Sequence, residues 1–130
     1  MILADTSAWI EFLRATGSPE ALRLRRAIAD REVVVVDPVV MEVMAGARRG
    51  AVDRTKLLLE SQHAEALQPK LDWLDAATIF RELRRSGVTV RSQVDALIAA
   101  AAIRLDLPVL HRDRDYDAIA QHTTLRVVGP

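Results

Sequence analysis

The sequence lacks cysteine altogether and contains few aromatic residues. Without cysteine the chain can form neither disulfide bonds nor a thiolate metal site, so any metal must be bound by oxygen atoms or by the three histidines. Because Trp, Tyr and Phe make up only 4% of the residues, alanine, valine, leucine and isoleucine must fill the core. Half of the residues are hydrophobic, which argues against intrinsic disorder.

A long hydrophobic segment is also missing. The longest uninterrupted apolar run, residues 96–103, is far shorter than the ~18 residues that indicate a membrane span. No basic region precedes the short apolar run at the N-terminus, so we expect no secretory signal. We therefore expect a cytoplasmic protein without a membrane partner. The formal net charge of +0 argues against a general polyanion binder.

The basic residues are nearly all arginines, with only Lys56 and Lys70 as exceptions. A guanidinium group suits bidentate contacts with phosphate. Solvated helix faces in an arginine-rich chain explain any one cluster equally well. The clusters are Arg23, Arg25 and Arg26; Arg48 and Arg49; Arg84 and Arg85; and Arg112 and Arg114.

Short apolar segments alternate with helical segments, and this order predicts one α/β domain over residues 1–130 with a mainly parallel sheet of about five short strands. Four consecutive valines in the segment 32–36 indicate a strand buried on both faces. We expect further strands at 2–4, 109–111 and 125–128, and a short edge strand at 65–69. Helices are expected at 6–14, 19–31, 38–46, 52–64, 70–86, 92–105 and 113–121.

Acidic residues follow the predicted strands. Asp5 comes directly after the first strand, and Asp113 and Asp115 come after the strand at 109–111. Glu42 lies one turn into the helix after the second strand, and Asp95 lies in the first turn of the apolar helix. Because parallel strands bind ligands at their carboxyl ends, we expect these acids on one rim of the sheet.

Each acid also has a simpler explanation. Asp5 and Asp113 can cap the helices that follow them, and Asp115 then lies in a first turn where the helix dipole favours it. Asp95 can reach back to the start of its helix as in a capping box. Glu42 can be an outward-pointing surface residue.

Convergence of the acids would itself be unfavourable. Two carboxylates ~4 Å apart repel by roughly 4 kcal/mol at an effective dielectric constant near 20. Such acids raise one another's pKa values or move apart unless a cation joins them. Mg²⁺ and Mn²⁺ suit carboxylate ligands, so convergent acids would predict a site for one of these ions.

Four segments occur in a characteristic order: residues 2–7 (ILADTS), Glu42, residues 94–100 (VDALIAA) and residues 111–116 (HRDRDY). Together they resemble the PIN-domain ribonucleases, specifically the VapC-like toxins of type II toxin–antitoxin pairs. The family patterns are an apolar-D-[ST]-S opening, an acid after the second strand, a D-x-x-I-A-A segment and a D-x-D-[FY] motif. Tyr116 stands where phenylalanine is commoner. The resemblance spans essentially the whole chain and implies a PIN-like α/β/α sandwich.

The resemblance implies an endoribonuclease toxin that cleaves RNA by metal-activated water, with transfer RNA as the favoured substrate. Asp5, Glu42, Asp95 and Asp113 would be the catalytic acids. The same four residues and Asp115 would bind one or two Mg²⁺ or Mn²⁺ ions.

Supporting roles follow from the same resemblance. Thr6 or Ser7 would orient Asp5 or a water molecule, although both hydroxyls can instead bind amides of the first helical turn. Arg112 and Arg114 would reach the phosphates of a substrate. A solvated loop, or ion pairs with the neighbouring acids, explains these two arginines as well.

The implied protein partners are a second copy of the chain, giving a homodimer, and a VapB-like antitoxin whose C-terminal segment lies near the acids. Trp9, Phe12, Leu13, Met41 and Met44 are candidates for the groove that receives it, with ordinary core packing as the competing explanation.

Two other functions stay open. A non-catalytic RNA- or protein-binding PIN-like module would not need the complete set of acids. An aspartyl phosphotransferase or phosphatase also places an acid at the end of its first strand. That class carries a second acid two residues later, where this chain has Ser7.

Overall fold

Five short parallel strands form one central sheet within residues 1–129, the part of the chain that the computed structural model describes. The order of the strands across the sheet is β3-β2-β1-β4-β5. In the central strand, Leu3 lies opposite Val34 on one side and opposite Val109 on the other. The strands are β1 Ile2–Ala4, β2 Val33–Val35, β3 His63–Ala64, β4 Val109–Leu110 and β5 Val127–Val128.

Helices flank this sheet, which confirms the predicted α/β/α sandwich. Parallel neighbours require crossover connections, and the helices provide them. None of the helices described in residues 1–129 is both long and apolar enough to cross a membrane. The helices are α1 Thr6–Leu13, α2 Pro19–Ala29, α3 Asp37–Ala45, α4 Val52–Glu60, α5 Leu71–Arg85, α6 Gln93–Arg104 and α7 Arg114–His122.

The core lies between the sheet and its helices. All residues of β1, β2 and β4 are buried, as the valine-rich sequence predicts for a sheet covered on both faces. The apolar body of α6 is buried as well, with Ile98 and Ala99 fully inaccessible to solvent. Trp9 and Tyr116 are the largest fully buried side chains.

Trp9 is therefore a core residue, which corrects its assignment as a candidate groove residue. Phe12 and Met44 are partly buried against the same core. Leu13 and Met41 are 39% and 59% exposed, so only these two of the five candidates present much apolar surface to a partner.

The predicted position of the edge strand is wrong. It comprises His63–Ala64 instead of residues 65–69, and α4 accordingly ends at Glu60. The partner strand β2 sets this limit, because the chain leaves the sheet to begin α3 at Asp37. The amide of Glu65 still donates to the Val35 carbonyl (3.1 Å), and no later residue has a β2 carbonyl to pair with.

The carboxyl ends of β1 and β4 lie side by side, with Ala4 opposite Leu110. The amide of Asp5 donates to the Leu110 carbonyl at 3.1 Å. This pairing brings the start of α1 next to the segment that leads into α7. The parallel topology thus places widely separated acidic segments at one edge of the sheet.

Candidate functional site

A shallow groove at this carboxyl edge contains all five acids that the sequence analysis singles out, and we call it the acidic groove. They come from the start of α1, from α3, from the first turn of α6 and from the start of α7. Three hydroxyl side chains, one arginine and Ile10 complete the lining. The lining residues are Asp5, Thr6, Ser7, Ile10, Glu42, Arg91, Ser92, Asp95, Asp113 and Asp115.

Asp5 both caps a helix and faces the groove. Its Oδ1 accepts hydrogen bonds from Ser7 Oγ (2.7 Å) and from the amide of Ala8 (3.1 Å). No hydrogen bond to its Oδ2 forms within the described residues, and Asp5 lines the groove, so this oxygen is available to a ligand. Burial raises the pKa of Asp5 to about 6, although both hydrogen bonds lower it.

Glu42 points into the groove because Thr6 holds it there. The Thr6 hydroxyl donates to Glu42 Oε1 at 2.5 Å, which joins α1 to α3. This contact rules out the outward-pointing surface position. It also gives the two hydroxyls after Asp5 distinct tasks, since Thr6 orients Glu42 and Ser7 orients Asp5.

Asp95 faces the other acids instead of capping its own helix. The N-cap is Ser92, whose Oγ accepts from the amide of Val94 at 3.1 Å. The Asp95 Oδ1 accepts from the hydroxyl of the buried Tyr116 at 3.3 Å.

Partial burial raises the pKa of Asp95 to about 7, and the negative charges of the neighbouring acids add to this effect. Those neighbours are Asp113, Asp5, Glu42 and Asp115, in decreasing order of influence.

Asp113 and Asp115 complete the cluster. One carboxylate oxygen from each of these two residues and one from Asp95 lie within 4.8 Å of one another. Asp113 also caps α7, since its Oδ1 accepts from the amide of Asp115 at 2.9 Å. As at Asp5, helix capping and participation in the cluster are compatible, because one carboxylate offers two oxygens.

Arg91 is the cation that the sequence did not reveal. Its Nη2 donates to Asp113 Oδ1 at 3.0 Å, and its Nε and backbone amide each donate to Asp115 Oδ2 at 3.2 Å. Arg91 stands alone in the link between α5 and α6, outside every arginine cluster. Its one sequence signal is its position shortly before the acid-bearing turn of α6.

The two arginines beside Asp113 behave differently from Arg91. The guanidinium group of Arg112 pairs with Glu11 (3.2 Å) and Glu20 (3.3 Å), while its amide donates to Ser7 Oγ (2.8 Å). Arg112 therefore does not pair with the neighbouring aspartates. The side chain of Arg114 is exposed and makes no hydrogen bond or ion pair within residues 1–129.

His111 supports the turn that leads into α7. Its Nδ1 accepts from the amide of Asp113 (3.0 Å), its Nε2 lies 3.2 Å from Asp117, and its ring packs on Tyr116. Both ring nitrogens are thus engaged, and the imidazole fixes the turn that carries the last two acids.

The donor set fits a hard divalent cation. Every candidate ligand is a carboxylate oxygen, the type that Mg²⁺ and Mn²⁺ prefer. Arg91 neutralises part of the charge of Asp113 and Asp115, whereas Asp5, Glu42 and Asp95 have no ion pair within the described residues. An external cation would remove the remaining repulsion.

Comparison with known proteins identifies the family of this chain. Residues 2–121 match the family model described as PIN domain. This chain belongs to the PIN-domain family. It is 41% identical over 132 residues to the VapC ribonuclease Mb1587 of Mycobacterium bovis and, equally, to the ribonuclease VapC11 of Mycobacterium tuberculosis. Each alignment covers 99% of this chain and 98% of the relative.

Solved structures share the fold at lower sequence identity. DNA-bound VapBC from Salmonella typhimurium is 22% identical with a TM-score of 0.74, and the alignment covers 98% of both chains. Mycobacterium tuberculosis VapC20, described as a Sarcin-Ricin loop cleaving toxin, is 22% identical with a TM-score of 0.68 over 100% of both chains. These similarities concern the architecture of this PIN domain.

Proposed function

We propose that the chain is a metal-dependent endoribonuclease of the VapC type and acts as the toxin of a toxin–antitoxin pair. The observation that carries this proposal is the convergence of five carboxylates in one groove, of which only two pair with an arginine within residues 1–129. Relatives that are 41% identical over nearly the full chain are named VapC ribonucleases, which supports the same conclusion.

The five acids have graded roles in this proposal. Asp5 and Asp95 are the principal ligands of Mg²⁺ or Mn²⁺, and Glu42, Asp113 and Asp115 complete the ligand set. When bound, such an ion lowers the pKa of water and stabilises charge on a phosphate. Thr6 and Ser7 hold Glu42 and Asp5 in place through the hydrogen bonds described above.

Asp95 links metal binding to pH. Its pKa of about 7 means that it is partly protonated at neutral pH, and a carboxylate must lose its proton before it binds a metal. Metal binding should therefore release a proton near neutral pH and become tighter as the pH rises to 8.

The substrate and partners are proposed as well. Transfer RNA is the favoured substrate, cleaved in a loop where single-stranded bases are accessible. The chain would act in the cytoplasm as one PIN domain over residues 1–130, form a homodimer and be inhibited by a VapB-like antitoxin. VapBC complexes among the structural neighbours support the antitoxin.

Cleavage of purified transfer RNA in Mg²⁺ or Mn²⁺ tests the enzyme. We expect products with 5′-phosphate and 3′-hydroxyl ends, and no cleavage in EDTA. The variants D5N and D95N should be inactive, whereas R25A/R26A, which alters exposed arginines on α2, should retain full activity. Cleavage that persists in EDTA, or equally in D95N, would contradict the proposal. Tight RNA binding without any cleavage would instead favour a non-catalytic binding module.

A further inference from the structure

A second groove opens beside the acidic one, between α1 and the segment that joins α3 to α4. It shares Ile10 and Glu42 with the acidic groove, so the two grooves adjoin at these residues. Its polar lining includes Arg14, Arg48 and Arg54. We call it the basic groove.

The charges of the basic groove are unbalanced. Arg14, Arg48 and Arg54 are exposed, and none forms an ion pair within residues 1–129. Glu42 is the single acid of the lining, and it stands at the junction, where Thr6 binds it. By contrast, Arg91 in the acidic groove and Arg112 next to Asp113 in sequence are both paired with carboxylates.

From this arrangement, and resting on the proposed ribonuclease function, we propose that the basic groove binds the phosphates of the RNA strand on one side of the scissile bond. The acidic centre repels phosphates next to the cleaved one, so a substrate needs cations close by. Three arginines in the groove that shares Glu42 with the acidic centre supply them, and guanidinium groups bind phosphate in a bidentate manner.

The lining also indicates what is recognised. No aromatic side chain lines the basic groove in the described structure, so it offers no surface on which bases can stack. The contacts should therefore be to the backbone and insensitive to base sequence. Recognition of a particular RNA must then arise elsewhere on the chain.

Binding of a short fluorescent single-stranded RNA to the full chain tests this inference, with D5N as the background so that the probe stays intact. R48A/R54A in this background should bind about tenfold more weakly or worse. The slope of log affinity against log salt should fall by about 1.4, because each lost phosphate contact on single-stranded nucleic acid contributes about 0.7.

The matched control is R25A/R26A in the same D5N background. It removes the same charge from exposed positions on α2, so net charge alone cannot explain a difference between the two variants. We expect its affinity and salt slope to equal those of D5N. All four positions are exposed, and unchanged thermal unfolding will show that both variants fold. Equal losses in both double variants, or no loss in R48A/R54A, would overturn the inference.

This experiment separates the inference from the proposed enzyme. If RNA binding depends on Arg48 and Arg54 but the wild-type chain cleaves no RNA, the groove remains a phosphate-binding site and the ribonuclease proposal is wrong. If the wild-type chain cleaves RNA but R48A/R54A does not change the RNA affinity, the ribonuclease proposal stands and the inference about the basic groove is wrong. If R48A/R54A instead binds RNA normally but escapes inhibition by the co-expressed antitoxin, the groove belongs to a protein partner and our inference is wrong.

Discussion

Two buried aspartates of this molecule have opposite environments. Asp72, at the start of α5, is 0% exposed, and Arg104 of α6 donates to both of its oxygens at 2.8 and 2.9 Å. Those hydrogen bonds hold the pKa of Asp72 below its usual range, although burial opposes them. Asp5 is 3% exposed and has only hydroxyl and amide donors, so burial raises its pKa to about 6.

The difference shows that this fold can supply a cation to a buried carboxylate but does not do so at Asp5 and Asp95. Burial of an unpaired charge is costly. In the acidic groove, Arg91 partly offsets this cost for Asp113 and Asp115. No cation within the described residues offsets it for Asp5, Glu42 and Asp95. We infer that Asp72–Arg104 serves stability and that the acidic groove serves a ligand.

The largest expected effect is on cleavage. D5N and D95N should each lower the rate by more than about 100-fold, because even partners of metal ligands cost 10–100-fold when lost. Neither variant should be less stable than the wild type at neutral pH. Initial rates on transfer RNA, normalised to folded protein, provide the measurement. A rate within threefold of wild type would place that residue outside the mechanism.

The next effect concerns stability. R104A leaves Asp72 buried without its partner and should lower the free energy of unfolding by about 3 kcal/mol. R126A, which breaks the exposed pair with Asp106, should cost less than about 1 kcal/mol. Urea denaturation compares the two variants. Similar losses would remove the contrast between the buried pair and a surface pair, and a cleavage defect in folded R104A would assign Asp72 a role in function.

A smaller effect is the pH dependence of stability without metal. The folded pKa of Asp95 (about 7) lies above its ordinary value of 3.8, so the folded chain binds the proton more tightly. Wild-type stability should therefore fall as pH rises from 4 to 7. D95N should lack this part of the slope and exceed wild type by about 1–2 kcal/mol at pH 8, a figure reduced for the partial exposure of Asp95.

Urea denaturation in EDTA at pH 4 and pH 8 measures this difference. The free energies of unfolding of the two proteins should be nearly equal at pH 4. When Mn²⁺ replaces EDTA at pH 8, it should stabilise only the wild type. A D95N variant that is less stable than wild type at pH 8 would show that Asp95 stabilises the fold.

The smallest effect is expected at Arg91. Its side chain is largely exposed, so R91A should change the stability of the fold very little. Because Arg91 occupies oxygens of Asp113 and Asp115, its removal should tighten Mn²⁺ binding severalfold, whereas R91K should resemble wild type. Calorimetric titration compares the three proteins. Weaker binding by R91A would mean that Arg91 orients the ligands and does not compete with the metal.

Much of this arrangement could be predicted from local sequence. The valine run of β2 and the apolar body of α6 are buried as predicted, and the positions of Asp5, Asp95 and Asp113 after strands or at helix starts indicate one rim. The reason is that strand burial and parallel topology together determine which edge an adjacent residue occupies.

The contacts that organise the site could not be predicted in this way. The Thr6–Glu42 hydrogen bond and the pairing of Arg91 with Asp113 join residues far apart in sequence, and neither has a local pattern. Likewise, β3 ends because its partner strand β2 ends and the chain continues into α3. The limits of β3 therefore depend on its partner strand. Side-chain direction and strand length arise from tertiary packing.

The most direct test of a cation-deficient acidic groove is calorimetric titration of Mn²⁺ into the wild type and D5N/D95N at pH 6 and pH 8. We predict specific binding to the wild type that is weaker at pH 6, accompanied by proton release, and no specific binding to the double variant. Equal binding by both proteins, or binding to the wild type that does not change with pH, would contradict the assignment of Asp5 and Asp95 as metal ligands.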